Sequence, residues 1–173
     1  PVDPVVTPFQ HYVLDTTAAF DNPVIAGSPG PSTNDSSLLV PIGFTFSFWG
    51  VPYTTVRISS NGILAFDQAG ASEGNNTCIP DVGAPNGFIA GYWANLDVTT
   101  GGQIRYETIG TAPNRRFVVH WNNVVDFGTN EIENFKVILD EATSMVSSTV
   151  LSSGYGGTIS TRGLERQDGL AGI

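Results

Sequence analysis

The stretch Ile42-Gly43-Phe44-Thr45-Phe46-Ser47-Phe48-Trp49-Gly50 decides the fold. Phe44, Phe46 and Phe48 alternate with Thr45, Ser47 and Trp49, the period of two that places successive side chains on opposite faces of a strand. The segment therefore predicts a half-buried strand with an aromatic inner face. Gly50 to Pro52 turns the chain, and Thr54-Thr55-Val56-Arg57-Ile58-Ser59 predicts a second strand. Asn61-Gly62 follows, the strongest two-residue hairpin signal, because type I′ turns need positive φ at both positions. Ile63 to Phe66 returns as a third strand.

The pattern continues to the C-terminus. Phe88-Ile89-Ala90-Gly91-Tyr92-Trp93 is almost wholly apolar and reads as a central strand. Residues 103–108 alternate with Ile104 and Tyr106 inward. Residues 116–124 place Phe117, Val119 and Trp121 on one face, and Phe135 to Leu139 forms another strand. Residues 145–151 and 158–164 are strand-like. The loops are equally clear: AGSPGPSTNDSS over 26–37, and a long polar excursion over 67–87. Short strands separated by turns, with no alternating helices, predict an antiparallel β-sandwich. The expected architecture is all-β and jelly-roll-like, with about 9–11 strands and little or no helix. With no linker and no internal repeat, residues 1–173 read as one domain. Residues 1–13 carry prolines at positions 1, 4 and 8 and predict an arm, or an edge or donor strand. Its apolar side chains, Val2, Val5, Val6, Phe9 and Tyr12, need a covering surface.

Composition sets the exclusions. The 173 residues carry 16 acidic and 7 basic side chains, a formal net charge of −9. Such a field repels phosphate backbones, and Arg115-Arg116 is the only adjacent basic pair, so nucleic acid is not an expected partner. No apolar run approaches the roughly 20 residues that span a bilayer. The single cysteine, Cys78, allows no internal disulfide. A chain beginning at Pro1 is expected to be processed or excised, and few lysines with abundant Thr, Ser, Asn and Gly fit an extracellular β protein.

The order of the motifs carries a resemblance. Ile42 to Gly50 followed by Tyr53-Thr-Thr-Val-Arg-Ile-Ser-Ser-Asn-Gly62 resembles the opening of nidogen-like modules. So does Phe88-Ile-Ala-Gly-Tyr-Trp-Ala-Asn-Leu-Asp97 ahead of Gly101-Gly-Gln-Ile-Arg-Tyr106. Gly110 to Trp121, then Asn123-Val124 and Phe135 to Leu139, is similar to the second half of the bacterial relatives. The similarity runs over roughly residues 12–173. It implies a module of secreted or surface proteins, at the extracellular side or cell surface, in adhesion or scaffolding, without a known catalytic centre. Relatives often carry an acidic pair after the tryptophan. Here Trp93-Ala94-Asn95-Leu96-Asp97 thins that cluster.

Candidate chemistry is sparse. Neither His11 nor His120 sits beside a serine elbow. Leu14-Asp15-Thr16-Thr17 lacks the glycine of an aspartic-protease loop. Glu131 and Glu133 are two apart and share a strand face, where a solvated acidic edge is the expected state. No catalytic residue and no required cofactor are expected. Calcium takes six to eight oxygens, usually from turns, and Asp67, Asp81, Asn95, Asp97 and Asp126 are the candidate ligands for a structural ion. Trp49, opposite in parity to the phenylalanines, is the candidate stacking platform for a glycan. Asn34-Asp-Ser36 and Asn75-Asn-Thr77 match the N-glycosylation pattern. Some surface adhesins join Lys to Asn through an isopeptide bond catalysed by a nearby buried acid; Lys136, the only lysine, alternates with Phe135 and Val137 and is expected to point away from the core, which speaks against such a bond here.

The expected function is a non-catalytic extracellular module acting through its surfaces, in adhesion or matrix building. Its partners are other protein chains, through self-assembly or matrix and surface proteins, and glycans. Three alternatives stand beside it: a filament subunit joined by strand addition of the arm, a calcium-dependent or glycan-binding module, and an accessory domain of a secreted hydrolase.

Overall fold

The computed structural model describes residues 12–17, 19, 22–66, 74–154 and 160–173. Within them there is no helix. Two antiparallel sheets lie face to face without closing into a barrel. In chain order the strands are β1 (Ser28–Pro29), β2 (Ser37–Phe48), β3 (Val51–Ser59), β4 (Ile63–Ala65), β5 (Phe88–Trp93), β6 (Leu96–Asp97), β7 (Gln103–Ile109), β8 (Arg116–Asp126), β9 (Ile132–Asp140), β10 (Val146–Ser153) and β11 (Thr161–Glu165). One sheet runs β1-β7-β8-β9-β10 with β6 beside β8; the other runs β11-β5-β4-β3-β2. Each sheet is thus a meander of sequential hairpins closed at one side by a strand from a distant part of the chain.

The alternation read from the sequence sets the interior. Phe44, Phe46, Phe48, Val56, Ile58 and Leu64 of one sheet meet Phe117, Val119, Trp121, Phe135, Val137 and Leu139 of the other. The rings stack: Trp121 on Phe135 at 4.8 Å, and Phe48 on Phe66 at 4.3 Å between centroids. Trp121 also donates its indole N–H to the Ser59 carbonyl across the sheets at 3.0 Å.

Several elements differ from the sequence reading. β2 starts at Ser37, five residues earlier, and its pairing with β3 breaks between Pro41 and Phe46. Pro41 has no N–H to donate, and Gly43 takes φ of 89°. The carbonyls freed there are taken by Thr108 Oγ1, at 2.6 Å from the Ile42 oxygen, and by an Arg115 guanidinium nitrogen at 2.6 Å from the Gly43 oxygen.

Asn61-Gly62 forms no exposed two-residue hairpin. β3 ends at Ser59 and β4 begins at Ile63, leaving a three-residue loop from Ser60 to Gly62 whose first two residues are fully buried. Only Gly62 has positive φ, at 86°. Asn61 instead spends its side chain on Asp35 Oδ1 (2.8 Å) and on the Leu96 N–H (2.7 Å).

β5 is buried along its whole length. One face lies in the main core. The other gathers Phe88, Ala90 and Trp93 with Ile63, Ala65 and Ile79 into a second apolar cluster. Ile79, from the polar excursion, thus packs on the outside of its own sheet.

Trp121→Phe is expected to lower unfolding stability by about 2 kcal/mol, since it leaves the Ser59 carbonyl unpaired between the sheets and removes ring volume. Urea melts of the two proteins measure the difference.

Candidate functional site

The segment ahead of β1 crosses its own sandwich. Tyr12 packs its ring on Phe48 (5.7 Å) and edge-on against Trp49 (5.2 Å). Its hydroxyl donates toward the Ser47 and Ser144 carbonyls at 3.2 and 3.4 Å. Burial pushes its phenol well above the ordinary range, a hydrogen bond with the Trp49 backbone opposing. Asp15 closes a small turn by accepting from the Thr17 N–H and hydroxyl, which accounts for the carboxylate of the Asp-Thr-Thr motif.

Further along, Asn22 Oδ1 and the Pro23 carbonyl accept from Lys136 Nζ at 2.5 and 2.7 Å. The Gly27 N–H donates to Glu107 Oε2 at 3.1 Å, and Arg105 donates to the Gly27 carbonyl at 3.4 Å. β1 then joins β7. The segment is held by polar and aromatic anchors, and it turns apolar side chains out: Val13, Leu14 and Val24 are 85, 71 and 93 % exposed.

Lys136 therefore alternates as expected, yet it is only 3 % exposed, because the segment bearing Asn22 lies over it. His120 stands directly opposite Lys136 in the β8–β9 register and shares a 2.8 Å hydrogen bond with Asn134. Burial, with the Lys136 charge adding, lowers its pKa, against the Asn134 bond.

Of the expected arm, Tyr12 docks within its own chain; Val2, Val5, Val6 and Phe9 lie outside the described residues, as do His11 and Asp67. Trp49 is half-buried at φ 50°, its ring meeting Tyr12 and Phe48 edge-on and its buried Nε1 unpaired. Asn75 is exposed, whereas Asn34 is half-buried with an unpaired Oδ1. Cys78 is exposed.

Three of the candidate cation ligands lie on or beside the β6–β8 pair, with Asp97 and Asp126 on opposite faces of it. β6 pairs with β8, setting Leu96 opposite Asp126 and Asp97 opposite Val125, and the Phe127 N–H donates to the Asn95 carbonyl. Asp97 Oδ1 is engaged by the Thr99 N–H and hydroxyl. Asp126 Oδ1 accepts from the Thr129 hydroxyl at 3.0 Å, while its Oδ2 and Asn95 Oδ1 are buried without partners. Burial raises the Asp126 pKa, with Glu131 adding and Thr129 opposing. Asp81 belongs elsewhere: its carboxylate caps Gly83, and its N–H donates to Glu165 of β11. Among the described residues, no three His, Cys, Asp or Glu side chains gather as a metal-holding group.

The Glu131–Glu133 edge divides. Glu131 is exposed, but Glu133 is fully buried with both carboxylate oxygens unpaired. Its charge helps to raise the Tyr92 phenol, after burial and against the bond Tyr92 shares with Ser153. Parity with Phe135 was the one sequence signal pointing Glu133 inward.

A family model described as NIDO related matches residues 11–171. No curated protein and no solved structure matches the chain.

The raised Asp126 carboxyl gives a pH test. The folded chain holds this proton to higher pH than the unfolded chain does, so the group weakens the fold as pH rises from its ordinary value, 3.8, through its higher folded value. Asp126→Asn is expected to gain on the parent across that interval, read as a growing difference in Tm. If Asp126 also holds calcium, the ion raises the parent's Tm but leaves the variant unmoved.

Proposed function

The chain belongs to the nidogen-related family, and from that premise we propose that it is a non-catalytic extracellular module that works by surface contact with other protein chains, in adhesion or matrix building. One observation carries this reading: the segment ahead of β1 is seated by Tyr12, Lys136 and Glu107, yet leaves Val13, Leu14 and Val24 facing solvent. A segment fixed by polar anchors that displays its apolar side chains has the composition of a contact surface. Arg115 and Glu141 hold one another, as do Arg166 and Asp168, and His120 is engaged by Asn134. The pKa shifts of both ion pairs come from these bonds, whereas that of His120 comes from burial.

A second reading, self-assembly by strand addition, is favoured by β2. It is the outermost strand of its sheet, and adjacent Leu38 and Leu39 are 39 and 54 % exposed. Beyond Pro41 the Ile42 and Gly43 carbonyls are already taken by Thr108 and Arg115, so among the described residues Ser37 to Val40 is the stretch of that edge left for another chain. An arm from a neighbouring copy is the proposed occupant.

Size-exclusion chromatography and negative-stain imaging separate the two readings. With strand addition, the native chain forms extended assemblies, and either Leu39→Lys or deletion of residues 1–11 returns monomers. If the chain is monomeric throughout and Val24→Asp abolishes capture on matrix or cell-surface protein, the first reading stands. Undiminished binding by Val24→Asp removes the apolar segment as the contact surface.

A further inference from the structure

We propose that Lys136 and Asn22 join covalently, as an isopeptide bond between Lys136 Nζ and the side-chain carbonyl carbon of Asn22. Lys136 is the only lysine of the chain, and it is buried on the outward face of β9 beneath the segment that carries Asn22. Its Nζ lies 2.5 Å from Asn22 Oδ1. A carbonyl bond is about 1.2 Å long, so the amide carbon lies at most about 3.7 Å from the amine, close to the separation of a near-attack arrangement. The Pro23 carbonyl, 2.7 Å from the same nitrogen, holds the amine against this amide.

The step needs no oxidant and no cofactor. The Lys136 nitrogen attacks Asn22 Cγ, the Nζ–Cγ bond forms, and the Cγ–Nδ2 bond breaks. The lysine ammonium brings three protons. One stays on the new amide, and two leave with Nδ2, which departs as ammonium. His120 stands directly opposite Lys136 across the β8–β9 pair, with its Nε2 engaged by Asn134, so the two protons pass from Nζ to the departing Nδ2 within the Lys136–Asn22 contact itself. Burial of Lys136 keeps bulk water, the competing nucleophile, from the amine. The competing fate of asparagine is also closed at this position. Succinimide formation uses the N–H of the following residue, and Pro23 has none.

The bond would tie the segment ahead of β1 to a central strand of the sheet. That would convert a seat made of hydrogen bonds into a cross-link that survives denaturation.

Intact mass in denaturant tests this on the folded chain of 173 residues. The expected mass is short of the sequence value by one ammonia. Trypsin, which does not cleave at an acylated lysine, should release residues 1–57 joined to residues 117–162 as one branched peptide. Lys136→Arg and Asn22→Ala should each restore the full mass and abolish the branch. The parent measurement stands even if a variant fails to fold. A full mass with ordinary cleavage after Lys136 overturns the proposal. So does an ammonia loss that maps to Asn61-Gly62 or Asn86-Gly87, where a succinimide forms without joining two segments.

Discussion

The structure depends on burying a turn. Ser59, Ser60 and Asn61 are inaccessible to water, and Gly62 is buried beside them. A buried loop is tolerated only if its backbone groups find partners within the protein, and here they come from five directions. The Ser59 carbonyl takes the Trp121 indole, Ser60 and Ser36 exchange bonds, and the Asn61 carbonyl accepts from Ala94. The Gly62 carbonyl accepts from Gly91, with Tyr92 at longer range, while the Asn61 side chain spans Asp35 and Leu96. The turn thereby ties the 26–37 loop, β5, β6 and β8 to the β3–β4 hairpin. A Cβ at position 62 would fall 2.0 Å from the Tyr92 carbonyl oxygen, so glycine is demanded there both by positive φ and by the closeness of a neighbouring backbone.

From this hub outward, the sandwich solves the problem that open sheets present at their sides. One seam is closed where Thr108 and Arg115 reach across to the irregular stretch of β2. The guanidinium of Arg115 also sits over the Phe44 ring and grips Glu141 through two nitrogens. The other seam is closed by Arg162 of β11, which donates to the Ser148 carbonyl and hydroxyl of β10 and to the Gly91 carbonyl of β5. With few charged residues to spend, the chain places two arginines where main-chain carbonyls would otherwise face the gap between sheets. Among the described residues, none gives the N-terminal stretch of β2 such a cover.

Legibility in the sequence followed locality. The alternations Phe44-Phe46-Phe48 and Phe117-Val119-Trp121 report the pleat directly, and these side chains line the core as read. Asn61-Gly62 misled because dipeptide statistics describe turns in water, whereas this turn is packed between sheets and its asparagine serves distant backbone instead of its own loop. Lys136 shows the same limit. Parity correctly assigned it to the outer face, but what covers that face is a segment more than a hundred residues away. β1 and β6, two residues each, leave no periodic trace at all.

The same separation between strand pattern and covering segment bears on the candidate sites. The oxygen-bearing residues of the turns divide according to sheet topology: Asn95, Asp97 and Asp126 lie along the β6–β8 pair without gathering on one face, and Asp81 joins β11. No spacing rule distinguishes these outcomes, since the partners come from different parts of the chain. Conversely, Glu133 looked like surface charge beside Glu131, yet it shares parity with Phe135 and lies opposite Val124, so the sheet carries it inward regardless of its chemistry. A carboxylate placed there is a cost that register imposes. Tyr92 and Ser153 share a hydrogen bond beside it, but both carboxylate oxygens remain without partners. Pattern decides which face a residue takes in this chain, and the crossing segments decide whether that face sees water.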